Sequence, residues 1–347
     1  MPENDARLAL LQGWLVRDLG LRPARIERAS SDASFRRYFR VTFGQGAMIV
    51  MDAPPETEDV RPYLHVTALL EPLGIHVPHV YEADAARGFV LLEDLGSTHY
   101  LAELGGAGDA QRLYGDALRT LADIQLRGTA AAAQLPPYDR APLVRELALM
   151  PEWFLDRHLT LELTGAEREM IAAAFEFLIQ EALSQPEVFV HRDYHSRNLM
   201  VVGERNPGVI DFQDALRGPI GYDLVSLLKD CYISWPRERV LEWVSGYRSL
   251  LQSRGGPVGG SPAEFVRGFD LIGAQRHIKV LGIFARLWYR DGKPGYLRDL
   301  PLTLEYVREC CRLYPQLAAL ADFLERRVAP ELPRANERVA RQTAHPA

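Results

Sequence analysis

The chain has 347 residues, 47% of them apolar and 25% charged, and carries a formal net charge of −6. That length suits one large domain or two lobes with a sizeable core, while the acidic balance argues against nucleic acid as a principal partner, because a phosphate backbone needs a cationic footprint. No apolar run approaches the roughly 18 residues of a membrane span, and "MPENDARLALLQ" lacks a basic start followed by an apolar stretch, so the expectation is a cytoplasmic protein.

The first predicted element is a helix: Leu8, Leu11, Trp14, Leu15 and Leu19 recur at helical spacing. The period then changes to two in "SFRRYFRVTF", a strand, and "GAMIVMDAPP" reads as a second strand paired to it. Residues 58–73 read as a helix with Pro62 in its first turn. The runs "HVPHVYEAD" and "GFVLLEDLG" complete a sheet-rich lobe over residues 1–95. From Asp109 the pattern is mostly helical, so residues 96–330 form a second lobe and 331–347 a frayed tail. The exception is a set of short β-rich runs, "EVFVHRD", "NLMVV" and "GVIDF", the last two joined by the turn "GERNPG". Three cysteines, Cys231, Cys310 and Cys311, are too few for a disulfide framework and read as free thiols.

Those β-rich runs hold the chemistry. Asp193 follows one strand, Asn198 precedes the next, and Asp211 ends the strand after that. Pairing of such strands brings the three into one cleft, a pattern that suits phosphoryl transfer: one carboxylate takes or orients the proton of an attacking hydroxyl, and oxygen ligands hold Mg²⁺ against the phosphates. An Asp and an Asn beside a tight turn can also merely satisfy backbone N–H groups. His191 and His195 stand four apart, as zinc ligands can, but the Glu of H-E-x-x-H is absent and the segment is not helical. Asp223 stands where a helix cap is expected.

The arrangement H-x-D-x-x-x-x-N followed by I-D-F, here His191, Asp193, Asn198 and then Ile210, Asp211, Phe212, resembles the catalytic core of the aminoglycoside phosphotransferase and protein-kinase superfamily. The resemblance implies an α+β, two-lobed kinase-like fold, with a small antiparallel sheet in the first lobe and a mostly helical second lobe. It implies ATP and Mg²⁺ as cofactors, Asp193 as catalytic base and Asn198 and Asp211 as metal ligands. His191, His195 and Asp223 become bracing residues, with Gln213 and Asp214 as further candidates for metal or substrate contact. The nucleotide is expected against "SSDASFRRY", by way of Ser31, Asp32, Ala33, Ser34 and Phe35, and against the hinge "VLLEDLG" near Glu93 and Leu95.

Two departures stand out. The phosphate loop has no glycine, and the superfamily's strand lysine is Met51 here, with His65 where its helix Glu is expected. Losing both halves of an ion pair together is physically consistent, since one buried charge left alone is costly. Arg37, on the Phe35, Phe39, Val41 side of its strand, is the expected replacement.

The stretch between Asp211 and Asp223 is too short for a peptide-docking platform, so the acceptor should be a small alcohol. Arg276, Lys279, Ile283, Arg286 and Arg290 share one face of a predicted helix; Arg276, Lys279 and Arg286 are the expected substrate contacts, suiting an acceptor with a carboxylate. The longer stretches "SSDASFRRYFRV", "IDFQDALRGPIGYDL" and "QRHIKVLGIFARL" are similar to a branch of amino-sugar kinases of bacterial cell-wall recycling. That similarity implies phosphorylation of the C1 hydroxyl of N-acetylmuramate or N-acetylglucosamine. Another small-alcohol kinase of the superfamily (choline, homoserine or aminoglycoside type) and a nucleotide-binding pseudokinase regulator are the alternatives.

Overall fold

The computed structural model describes residues 5–30, 35–44, 46–104 and 107–344. The chain divides into two compact units, one of residues 1–120 and 197–214, the other of 121–196 and 215–347. The boundary therefore differs from the expected break at residue 95. The first unit runs on into the helix Ala107–Arg127 and takes back the ribbon that carries Asn198 and Asp211.

The first unit opens with helix α1 (Ala6–Gly13), capped by Asp5, whose side chain accepts from the Leu8 N–H; it continues as a π-helical turn, Trp14–Asp18. Five strands follow: β1 (Arg25–Ser30), β2 (Arg37–Phe43), β3 (Gly46–Asp52), β4 (Val80–Asp84) and β5 (Phe89–Glu93). They form an antiparallel sheet in the order β1-β2-β3-β5-β4, with helix α2 (Arg61–Leu70) between β3 and β4. Strand β1 was not foreseen; its register on β2 sets Ile26 opposite Val41 and Arg28 opposite Phe39.

Because side chains alternate across a sheet, the two faces can be read by parity. Phe39, Val41, Val50, Phe89 and Leu91 pack with Leu11, Trp14 and Leu15 in one core, Trp14 stacking on Phe89 at 5.6 Å between ring centroids. The opposite face carries Tyr38, Met51 and Val90 on one cross-strand row. A ribbon of two short strands, β7 (Leu199–Met200) and β8 (Gly208–Val209), belongs to the same unit. Its backbone is tied in by Val201 N–H to Thr98 O (2.8 Å) and Val209 N–H to His76 O (2.8 Å).

The second unit is mostly helical. Strand β6 (Glu187–Val190) pairs only with β9 (Leu216–Pro219), and the helix Gly221–Leu228 follows with every residue buried. At the centre runs the helix Pro262–Tyr289, started by a capping box of Ser261 and Glu264 and buried without a break from Phe269 to Leu281. A helix buried all round is a core element, so the expected contrast of a basic face against an apolar one does not hold over this span. Gly282 is required by close approach, since a Cβ there would lie 2.4 Å from the Leu149 carbonyl carbon. The expected tail is instead the helix Glu331–Ala344, whose Leu332, Ala335 and Val339 are buried; residues 345–347 lie outside the described part. No helix among the described residues is long and apolar enough to cross a membrane, and all three cysteines are free and buried.

Candidate active site

In the first unit, Asn198 and Asp211 face each other across the foot of the β7–β8 ribbon. The Ile210 N–H donates to the Asn198 carbonyl (3.1 Å), and the Asn198 amide donates to Asp211 Oδ2 (3.2 Å). Gln213 Nε2 donates to Asp211 Oδ1 (2.8 Å). Asp211 has φ of +64°, a left-handed conformation that a non-glycine residue holds only where its surroundings fix it. A Cβ at Gly208 in the same ribbon would come 2.7 Å from Leu95 Cδ1, so the ribbon packs directly on the expected hinge.

At that hinge Glu93 is engaged with the sheet edge: its N–H donates to His79 O (2.9 Å), and its carboxylate accepts from the His79 N–H (3.2 Å) and lies 3.4 Å from His76 Nε2. Leu95 differs: no hydrogen bond among the described residues engages its backbone N–H or C=O. Asp94 between them is gripped by Arg40 through paired bonds of 2.6 and 2.9 Å, and Arg40 also donates to Gly96 O. Sequence reasoning missed this clamp; the parity that sets Arg40 opposite Phe39 was its visible trace.

Ser31, Asp32, Ala33 and Ser34 lie outside the described residues, and Phe35 is exposed. Arg37 does share a face with Phe39, but that face is the one α1 covers. Its guanidinium donates to Asp52 (Nε, 2.9 Å) and to Asp5, while Arg7 holds the other oxygen of the fully buried Asp52 (Nε, 3.0 Å). Arg37 is thus a brace on the helix-covered side, a correction to its expected place beside the phosphates. Its neighbour Arg36 lies on the other parity and forms an ion pair with Glu58 (3.5 Å). Burial works against the charge of Arg36, but Tyr38, Asp211, Glu58 and Asp214 outweigh it and hold the pKa above the ordinary arginine value.

In the second unit, Asp193 follows β6 in a loop braced at both ends by buried aspartates. Asp223 accepts the backbone N–H groups of His191 (2.7 Å) and Arg192 (2.9 Å), and Arg192 takes a left-handed φ of +79° between them. Burial pushes the Asp223 carboxyl up to about 7 despite those two donors. At the far end Asp230 accepts from the Ser196 N–H (3.0 Å) and the Ser196 hydroxyl. Asp230 was missed, although it stands seven residues, two helical turns, after Asp223. His191 is fully buried, packs edge-on against Tyr194 and accepts from the Asp193 N–H (3.3 Å); His195 packs edge-on against Tyr232. Among the described residues no group of three or more His, Cys, Asp or Glu is arranged to hold a metal.

Beneath the loop lies a second polar cluster that the sequence did not disclose. Glu146 accepts from Arg192 (2.5 Å), Tyr138 and Gln275 (3.3 Å) and pairs with Lys279 (3.1 Å), which also donates to the Tyr222 hydroxyl (3.0 Å). Arg276 is as buried as Lys279, yet its only hydrogen-bond partner among the described residues is the Cys231 sulfur at 3.9 Å. Burial raises the pKa of Asp193, but Lys279, His195, Arg276 and Arg192 outweigh it and hold the carboxyl below the ordinary aspartate value. Arg286 is not brought here: it stands ten residues beyond Arg276, half-buried, and burial together with Arg290 lowers its pKa.

The chain belongs to the phosphotransferase enzyme family, whose model matches residues 25–258. It is similar to the N-acetylmuramate/N-acetylglucosamine kinase of Pseudomonas aeruginosa, 45% identical over 92% of this chain and 97% of that one. It is likewise similar to the enzyme so named in Neisseria meningitidis serogroup B, 44% identical over 92% and 96%. Among solved structures, an aminoglycoside phosphotransferase with ADP bound shares the fold with a TM-score of 0.56 at 14% identity, covering 88% of this chain and 99% of that one.

Proposed function

We propose that this chain transfers the γ-phosphoryl group of ATP to the C1 hydroxyl of N-acetylmuramate or N-acetylglucosamine, in the recycling of cell-wall sugars in the cytoplasm. The observation that carries this reading is the match of nearly the whole chain, at 45% identity, to an enzyme named for those two sugars, together with the braced and ionised Asp193.

The roles follow from the chemistry. Asp193 accepts the proton of the C1 hydroxyl as its oxygen bonds to the γ-phosphorus; the bond from that phosphorus to the β–γ bridging oxygen breaks, and ADP leaves. Asn198 and Asp211 would hold Mg²⁺. Their donor set fits: one carboxylate and one side-chain amide, whose oxygen an amide flip presents to the ion, suit a cation that keeps several waters and phosphate oxygens in its shell. When bound, the ion supplies charge neutralisation at the phosphates. The unclaimed Leu95 backbone suits the adenine edge. Arg276, buried without a carboxylate partner among the described residues, is the donor for the acceptor's carboxylate or carbonyl, while Lys279, committed to Glu146 and Tyr222, keeps Asp193 ionised.

Phosphorus NMR of the products formed from ATP with each sugar tests the reading. An anomeric sugar phosphate and ADP are expected. No sugar phosphate with either sugar, alongside turnover of choline or an aminoglycoside, overturns it.

A further inference from the structure

The superfamily's strand lysine is Met51 here, and the residue expected to replace it is turned to the other side of the sheet. Met51 is fully buried in β3 opposite Tyr38, on the face away from α1. The residues of that parity on and before β2 are Arg36, Tyr38, Arg40 and Thr42. Arg40 is committed to Asp94 at the hinge. Arg36 is the remaining cation of the row, its side chain only 14% exposed, and it is paired at 3.5 Å with Glu58, three residues ahead of α2.

The segment it looks toward carries the expected metal ligand. Tyr63 in α2 stacks on Phe212 at 4.8 Å between centroids, which places the residue after Asp211 against the same helix that Glu58 precedes. Asp211 and Asp214 both act on the Arg36 charge. A guanidinium here is attracted to an acidic metal end in the free protein, and a triphosphate bringing its own cation offers it oxygens in addition to those of Glu58.

Resting on the kinase reading, we propose that Arg36 binds the nucleotide phosphates in place of the missing lysine, with Glu58 as its resting partner. The Lys–Glu pair of the superfamily is thereby moved as a unit from β3 and the middle of α2 to the entrance of β2 and the segment before α2. An arginine suits the new site because its longer, planar fork presents paired donors in a fixed geometry to two phosphate oxygens from a strand end.

Calorimetric titration of the full chain with MgATP and, separately, with adenosine tests this. Arg36→Ala should weaken MgATP by roughly ten- to hundredfold, the range of a lost charge-assisted contact, and leave adenosine affinity within about twofold of the wild type. Arg36→Lys should recover part of the loss, and Arg37→Ala should leave MgATP affinity unchanged. MgATP affinity unaltered in Arg36→Ala, or MgATP and adenosine lost together while Arg36→Lys folds and behaves alike, overturns the assignment of Arg36. Wild-type protein that binds no nucleotide overturns the kinase reading and this proposal with it.

Discussion

Two buried charge clusters, one in each unit, are built on different terms. In the first, Asp52 is enclosed by Arg7 and Arg37, with Asp5 on the outer side of Arg37, so each charge meets an opposite one. In the second, Glu146 is shared by Arg192 and Lys279, and the neighbouring Arg276 has no carboxylate within ion-pair distance among the described residues. A closed set of charges can brace a fold and asks for nothing more. Arg276 is balanced only at longer range, by Asp193 and Asp230, so of the two clusters the second is the one where we place the acceptor's anionic group.

The largest expected effect separates the two at once. Asp193→Asn should lower turnover per folded molecule by about a thousandfold or more, the upper range of general-base removal, a loss that no change in its stability accounts for. Asp52→Asn should do the reverse, since leaving two arginines without their buried carboxylate costs on the order of 3–5 kcal/mol but touches no reacting group. Turnover per folded molecule and urea unfolding, measured on both variants, check the contrast; a stable, fully active Asp193→Asn protein would remove Asp193 from the mechanism.

A smaller effect tests the open cation. Arg276→Met keeps the volume and drops the charge, and should raise KM for N-acetylmuramate by roughly tenfold or more, the worth of one charge-assisted hydrogen bond, with less effect on N-acetylglucosamine, which has no carboxylate. Equal effects on the two sugars would assign Arg276 to a group they share, or to the field around Asp193.

What the sequence made legible follows from distance along the chain. Asn198 and Asp211 sit at the ends of a short ribbon, so their meeting could be read from two β-rich runs and a turn. The alternation of Phe39, Arg40 and Val41 put Arg37 on the right face of its strand. Parity cannot say which face the first helix will cover, and there the expectation failed. The cluster at Glu146 was illegible for another reason: Glu146 lies 46 residues from Arg192, and Tyr138 lies 137 from Gln275, so only tertiary packing brings them together. The terminal helix is a different case, because Leu332, Ala335 and Val339 were spaced for a helix in plain view, and the surrounding charges hid them.

A pH-dependent effect concerns the helix that carries both cations. His277, next to Arg276, is buried and donates from Nε2 to the Lys229 carbonyl at 2.8 Å; burial, and then Arg276, lower its pKa to about 3. The unfolded chain takes up this proton near pH 6.5, so between about 6.5 and 3 it binds a proton that the folded protein refuses. The stability His277 contributes is present above about pH 6.5 and is lost as pH falls, at roughly 1.4 kcal/mol per pH unit. Asp223, raised to about 7, acts with the opposite sign: its folded form keeps a proton that the unfolded chain releases near pH 4, so its share declines as pH rises over much the same range. The two slopes oppose each other in the wild type, and a simple pH scan of its stability hides both. The difference between wild type and His277→Gln isolates one of them: the cost of the substitution should shrink by about 2 kcal/mol between pH 7.5 and pH 5. A cost that stays constant over that range, read from urea unfolding at the two pH values, would mean that His277 is protonated in the folded protein and that the Arg276 end of the helix is wetter than its packing implies.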